Sequence, residues 1–241
     1  MKISIAIPAF NEERLIGATL ACVRDCMDEF VRRNWQTELI VCDNNSTDRT
    51  AELARAAGAT VVFEPINQIS RARNTAAKAA TGDWIIFIDA DSTPSRELFA
   101  DVAEQIAGGE CLAGGVTVRL DGDHRWIGRA TMIWNAISRT RHWFAGSFIF
   151  CNADAFRTVG GFSEELYVAE EIDLSKRLKR LAQATGKRVV ILHRHPLRTS
   201  ARKMELYSPG EHLRFIRNTL LRRGKLIRNR DECNLWYDGR R

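Results

Sequence analysis

No apolar run in the 241 residues approaches the roughly 20 needed to cross a bilayer, and Met1-Lys2 leads straight into a strand-like stretch with no signal-peptide pattern. The expectation is a cytoplasmic protein. Cysteine occurs six times (Cys22, Cys26, Cys42, Cys111, Cys151, Cys233) but never as Cys-x-x-Cys, and Cys42 sits inside an apolar run as a small hydrophobe would. Reduced thiols are therefore expected, with neither a disulfide framework nor a zinc-finger spacing. No G-x-G-x-x-G follows a strand, which removes the phosphate loop of a dinucleotide oxidoreductase. IPAFNEE, after the first strand, contains no glycine, and a sugar-nucleotide nucleotidyltransferase would need a glycine-rich loop there. Internal repeats and low-complexity linkers are also missing, and aromatics do not alternate with basic residues as in a single-strand-binding groove.

What is present is an ordinary globular composition, 45% hydrophobic and 27% charged, large enough for a substantial core. The formal charge of +6 is uneven: from Lys176 onward there are 19 Lys and Arg against 5 Asp and Glu. Such a region suits anionic lipid headgroups or a phosphate-bearing acceptor, or is simply a set of solvated helix faces. Nucleic acid is not the expected partner.

Along the chain, strands are predicted at Lys2 to Ile7, Glu38 to Cys42, Thr60 to Phe63 and Trp84 to Ile88. Helices are predicted between them at Glu12 to Arg32, Thr47 to Ala57 and Ser70 to Ala80. This alternation implies an α/β fold with a mostly parallel central sheet flanked by helices. After Gly114-Gly115 it loosens into strands at Val116 to Leu120, Ser147 to Cys151 and Val189 to Leu192, a helix at Trp126 to Ser138, and an acidic helix after Gly160-Gly161. A single domain is expected, with a nucleotide-binding half to residue 115, an acceptor half over 116–205 and a basic helical extension over 206–241.

WIIFIDADSTP, Trp84 to Pro94, carries the most information. A buried strand ends in Asp89 and Asp91, one residue apart, and in open α/β sheets ligands gather beyond the carboxyl ends of the strands. Two carboxylates there suit a hard cation such as Mg²⁺, which takes one or two protein carboxylates and completes its shell with water and phosphate oxygens. A surface turn would use the same residue types. Other strand ends converge on the same place: Pro8-Ala9-Phe10-Asn11-Glu12, then Asp43 to Asp48, then Arg71 to Asn74. Asp43 suits a base or ribose, and Arg71 and Arg73 offer forked donors for phosphate oxygens. Taken singly, each also reads as a helix cap or a surface residue.

These segments, IAIPAFNEE, LIVCDNNSTDRT, ARN, FIDADS and GGFSEELYVAEEIDLSKRL, run in the order found in family 2 glycosyltransferases, and the chain resembles that family over most of its length. The resemblance implies the nucleotide-sugar-binding fold called GT-A, inversion at the anomeric carbon, and a nucleotide pocket lined by Pro8, Ala9, Glu12, Asp43 and Arg73. Asn11, Arg71 and Ala90 belong with that pocket. Asp89 would lie near the ribose, and Asp91 would hold Mn²⁺ or Mg²⁺ against the diphosphate. Two departures stand out: Ser92 replaces a further acid after Asp-Ala-Asp, and the expected Glu-Asp pair is Glu170-Glu171.

In Ala169 to Leu181 the residues Leu174, Leu178 and Leu181 form one stripe that Glu171 extends, so Glu171 is predicted to face inward and to act as general base. Glu170 and Asp173 are the alternatives, Asp173 having Arg177 as an outer-face partner. His193 or His195 is a candidate further metal ligand, and Arg202 and Lys203 are candidates to neutralise the diphosphate. Over Pro209 to Arg230 a helix is predicted with Leu213, Ile216, Leu220 and Leu221 on one face and Arg214, Arg217, Arg222 and Lys225 elsewhere. That pattern permits peripheral contact with an anionic inner membrane face. The expected activity is transfer of a sugar from a nucleotide-sugar donor, UDP or GDP type, to an unidentified hydroxyl acceptor. A nucleotidyltransferase and a non-catalytic nucleotide-binding module are the rival readings.

Overall fold

The computed structural model describes residues 1–121, 125–202, 206, 208, 210–211, 214, 217–218 and 226–233. Its first strand, β1 (Lys2–Ala9), is buried at every position after Lys2 because it lies inside the sheet with helices on both faces. It pairs in parallel with β2 (Gln36–Asp43) on one side and β4 (Trp84–Ile88) on the other, and β2 pairs in parallel with β3 (Thr60–Phe63). Three helices make the crossovers: α1 (Ile16–Val31), α2 (Thr50–Ala56) and α3 (Ile69–Ala79).

The pattern then changes. A two-residue strand β5 (Ser92–Thr93) and helix α4 (Arg96–Ala107) lead to β6 (Cys111–Asp121), α5 (Arg125–Arg141) and β7 (Phe148–Asn152). β7 runs antiparallel to both β4 and β6. Helices α6 (Ala153–Thr158) and α7 (Glu170–Ala184) precede the last strand, β8 (Arg188–Ser200), which is parallel to β6 and antiparallel to β5. All eight strands form one mixed sheet in the order β3-β2-β1-β4-β7-β6-β8-β5.

Side-chain alternation builds two cores, one on each face. Ile3, Ile5, Ile7, Ile86 and Ile88 meet Leu20, Val23 and Phe30 of α1 and Leu98, Phe99 and Val102 of α4. Ala6, Ile40, Ile85 and Phe87 meet Ala72 and Ala76 of α3 and Leu174 and Leu178 of α7. Because β7 begins opposite Ile88, the α5–β7 connection arrives at the carboxyl end of β4, where the Asp89 amide donates to the Ser147 carbonyl at 3.1 Å. The outgoing end of β6 has no β7 partner beyond Gly115. There the Asn135 side chain of α5 takes the strand's place, donating to the Val118 carbonyl and accepting from its amide at 2.8 and 3.0 Å.

Several sequence expectations need correction. The parallel arrangement holds for β3-β2-β1-β4 and for β6-β8, while β7 and the short β5 pair antiparallel and make the sheet mixed. β8 does not stop at Leu192: Val116 pairs with Leu192 and Val118 with Leu197, so residues 193–196 bulge out before pairing resumes. The helix expected over Pro209 to Arg230 lies largely outside the described residues. At its end, Leu226–Arg228 is a short 3-10 helix and Asn229 is extended.

The loop before α7 depends on Gly160 and Gly161, both in the left-handed region (φ +80° and +68°). A Cβ on Gly161 would lie 2.7 Å from Asn74 Oδ1, whereas one on Gly160 meets open space. Gly160→Ala should therefore cost about 1 kcal/mol from backbone strain, and Gly161→Ala about 2–3 kcal/mol because it also displaces the Asn74 clamp. Urea denaturation of the two variants measures the difference.

Candidate active site

Two tips of the parallel strands are tied together before any ligand is considered. Asn11 adopts a left-handed conformation (φ +53°), and this turns its side chain to accept from the Thr47 amide at 2.8 Å while its own amide donates to Ser46 Oγ at 3.0 Å. Asp43, 7% exposed, accepts from the Ser46 amide at 3.0 Å. Asn44, which in sequence reads as a helix-cap residue, instead holds the next loop: its Nδ2 donates to the carbonyls of Glu64 and Ile66, and its Oδ1 accepts from the Gln68 amide. The signal was available, since Asn after a strand is a common loop anchor. Pro8, Ala9 and Ala90 are buried, so they shape the crevice through backbone and packing; the Ala90 carbonyl accepts from Thr19 Oγ1 at 2.7 Å.

Glu12 and Arg202, assigned separately to nucleotide and diphosphate, are brought together: Arg202 Nη2 lies 2.7 and 3.0 Å from the two Glu12 carboxylate oxygens. Lys203 lies outside the described residues.

The two arginines of α3 part company. Arg71 stays near the surface, bonded to Gln68 and paired with Glu164 at 3.1 Å. Arg73 points inward and is 2% exposed. Its Nη1 donates to Glu170 at 2.9 Å, and its Nη2 donates to Asp89 at 2.9 Å and to the Gly146 carbonyl at 2.8 Å. The guanidinium also sits 5.2 Å from the centre of the Phe162 ring. Its Nε is buried without a hydrogen-bond partner. Asn74 completes the clamp through the Phe162 amide and carbonyl, both at 2.9 Å. Arg73 thus lies behind the crevice as a brace between β4 and α7, not in its open wall.

Asp89 and Asp91 both remain partly exposed at the β4 tip. Thr199 Oγ1 of β8 lies 3.4 Å from Asp91 Oδ1, and the Ser200 amide donates to the Asp91 carbonyl at 3.3 Å. Ser92 is fully buried and bonded to Thr199 Oγ1 at 3.0 Å, which explains the absence of a further acid: a carboxylate there would be a buried charge.

At the start of α7 the leucine stripe selects differently from the sequence reading. Glu170, one turn before Leu174 and Leu178, is the deeper residue at 5% exposure, and Glu171 beside it is half-buried. Burial raises the pKa of both, and the Arg73 charge opposes the rise. Glu171 is pushed up to about 8, by burial first and then by the neighbouring Glu170 charge. Asp173 pairs with Arg177 at 2.7 Å on the outer side.

The structure does not bring the histidines to Asp91. The β8 bulge carries them toward α4, where His195 Nδ1 lies 3.0 Å from Asp101 Oδ2 and the intervening Arg194 pairs with Asp101 and Glu104. His193 is exposed. Among the described residues no three His, Cys, Asp or Glu side chains form a self-sufficient cation cage. One strand-tip carboxylate is nevertheless the donor set Mg²⁺ uses when a substrate diphosphate supplies further oxygens, so Asp91 fits that role and the histidines do not.

A mixed sheet with an acidic strand tip facing a carboxylate-bearing helix defines a nucleotide-sugar-transferase fold of the GT-A kind. Residues 4–160 match the model for glycosyl transferase family 2, and the chain belongs to that family. It is 30% identical over 142 residues to the uncharacterized glycosyltransferase Mb0553 of Mycobacterium bovis, covering 58% of this chain and 61% of that protein. Curated relatives are spanned only in part, down to 26% of their length. In structure the chain resembles a mannosyltransferase from Pyrobaculum calidifontis in complex with GDP-Man and Mn²⁺ (TM-score 0.68, 20% identity, 90% of this chain and 60% of that one). It also resembles glucosyl-3-phosphoglycerate synthase from Mycobacterium tuberculosis in complex with Mn²⁺, UDP and phosphoglyceric acid (TM-score 0.60, 22% identity, 93% and 78%).

Removing the Arg73 charge would leave Asp89, Glu170 and Glu171 without their shared cation. Arg73→Met should lose about 3–5 kcal/mol at pH 8, as expected for a buried pair stripped of one partner. The deficit should shrink toward pH 5, because without Arg73 the carboxyl pKa values rise further and the folded state gains protons as pH falls. Denaturation curves at the two pH values measure this.

Proposed function

We propose that the chain is a metal-dependent, inverting glycosyltransferase that moves a sugar from a nucleotide diphosphate donor, UDP or GDP type, to an acceptor hydroxyl. One observation carries the reading: a single buried guanidinium ties the Asp89-Ala90-Asp91 strand tip to the carboxylate pair that opens α7. Family membership and the donors named in the neighbouring complexes support it.

In this reading the base and ribose lie over the β1 and β2 tips, with Asp43 and Asp89 as hydrogen-bond acceptors. Asp91 would hold Mn²⁺ or Mg²⁺, which when bound would neutralise charge on the departing diphosphate. Arg202, fixed by Glu12, stands near the β1 tip and adds positive charge. Glu171 takes the proton of the acceptor hydroxyl during in-line attack on the anomeric carbon. Its raised pKa makes it a stronger proton acceptor than an ordinary carboxylate, at the cost of being mostly protonated at neutral pH. Glu170 is paired to Arg73 and Asp173 to Arg177, so neither is as well placed to receive that proton.

Thermal unfolding with a panel of UDP- and GDP-sugars, with and without Mn²⁺, tests donor binding, since a ligand specific to the folded state raises its stability. One sugar nucleotide should stabilise the protein in a Mn²⁺-dependent way, and Asp91→Asn should remove the metal-dependent part. Full turnover in excess EDTA would take the metal out of the mechanism.

Glu171→Gln should lower turnover roughly a hundredfold or more with donor affinity nearly unchanged, while Asp173→Asn stays within a few-fold of wild type. Because the active form of Glu171 is the carboxylate, kcat/KM should rise with pH toward a plateau above about 8. Glu171→Gln should flatten that limb.

A further inference from the structure

Helix α5 has an outward face that nothing in the described structure covers. Met132 is 73% exposed, Ile133 64% and Ile137 38%, and Ala136 and Arg129 lie on the same face. On a helical wheel these positions fall within one broad sector, opposite the anchoring side made by Ile127, Trp134, Asn135 and Ser138. The only charged residues of the helix are arginines: Arg125 and Arg129 near its start, Arg139 and Arg141 in its last turn. Arg129, Arg139 and Arg141 have no carboxylate partner among the described residues, and no Asp or Glu occurs anywhere in α5.

We infer that the outward face of α5 is a docking surface for an anionic lipid bilayer. An exposed apolar cluster on a helix whose only charges are arginines, one of them (Arg129) a turn away on the same face, matches the boundary between acyl chains and anionic headgroups, where a helix lies in the plane with its apolar side buried. A second copy of the chain fits less well. In a two-fold contact the same face meets itself, which would set arginines against arginines around the shared apolar strip. The 17 residues of α5 make a helix about 25 Å long, of which the exposed apolar cluster from Met132 to Ile137 covers about 9 Å, a size for surface contact and not for crossing a bilayer.

Position strengthens the inference. α5 joins the outgoing end of β6 to the incoming end of β7, and β7 begins at the carboxyl end of β4. The docking face therefore belongs to the site end of the sheet. Just past α5, Trp143 lies beneath Lys176 of α7 at 5.2 Å, and the Gly146 carbonyl binds Arg73. A bilayer held by α5 would lie beside the cleft that Glu171 opens into, so the acceptor would approach from the membrane surface. That last step rests on the proposed transfer reaction; the docking does not.

Vesicle flotation tests it without any turnover. The protein should float with vesicles containing phosphatidylglycerol, increasingly so with its content, should detach as NaCl is raised, and should stay unbound with phosphatidylcholine alone. Met132→Asp combined with Ile133→Asp should reduce flotation about tenfold or more. The exposed positions should leave the unfolding midpoint unchanged; Ile137→Asn, a milder change on the same face, gives an independent reading with a smaller loss. Undiminished flotation of both variants would overturn the proposal by assigning the binding to another basic region. Equal behaviour with neutral and anionic vesicles would overturn it too. So would a concentration-dependent dimer, seen by sedimentation, that the double variant abolishes while no vesicle binding occurs.

Discussion

A fully buried guanidinium is costly to dehydrate, and the site is organised around meeting the hydrogen-bonding demands of Arg73. Its two terminal nitrogens reach a strand tip, a helix start and a loop carbonyl, elements separated by as much as 97 residues in sequence. Moving any of the three would leave a charge or a carbonyl unpaired in the interior, where the penalty is several kcal/mol. The geometry between the donor side and the carboxylate pair is therefore set by electrostatics in a low-dielectric setting and not by apolar packing alone. The same arrangement tunes the chemistry. Burial drives the Glu170 and Glu171 pKa values up, Arg73 restrains the rise, and the balance leaves Glu171 near neutrality.

Short continuous apolar runs and helix spacing make the first half of the fold legible in the sequence, because β1, β2 and β4 are buried on both faces and lie between helices with recognisable ends. The second half was harder for a physical reason: an antiparallel strand inserted between β4 and β6 leaves no mark in a strand's own residues. α4 went unassigned although Ser95 caps it and Leu98, Phe99, Val102 and Ile106 recur at helical spacing. The apolar run that predicts the last strand ends at Leu192, whereas pairing with β6 resumes at Leu197 after the bulge.

Within the site, residue types at strand ends were readable and their partners were not. Arg73 and Arg71 are two residues apart on one helix, and nothing local says which turns inward. Glu170 and Glu171 differ by a single 100° step, and the i, i+4 spacing from Leu174 and Leu178 places Glu170 deeper, where Arg73 arrives from α3 to pair with it. The family resemblance makes His193 or His195 a candidate metal ligand, but the bulge carries His195 to Asp101 of α4.

The Glu12–Arg202 pair has a meaning for how the protein comes into being. Its members are 190 residues apart, and among the described residues β5 pairs with β8 alone, so the crevice mouth is closed by the last part of the described sheet. At typical synthesis rates of roughly 5–20 residues per second, on the order of ten seconds or more separates the emergence of the two partners. The parallel β1, β2 and β4 layer can assemble meanwhile, with Glu12 and Asp91 still facing water at its rim. The nascent chain thus spends that interval with an open, acidic strand edge, and the rim closes only when Arg202, just past β8, arrives to pair with Glu12.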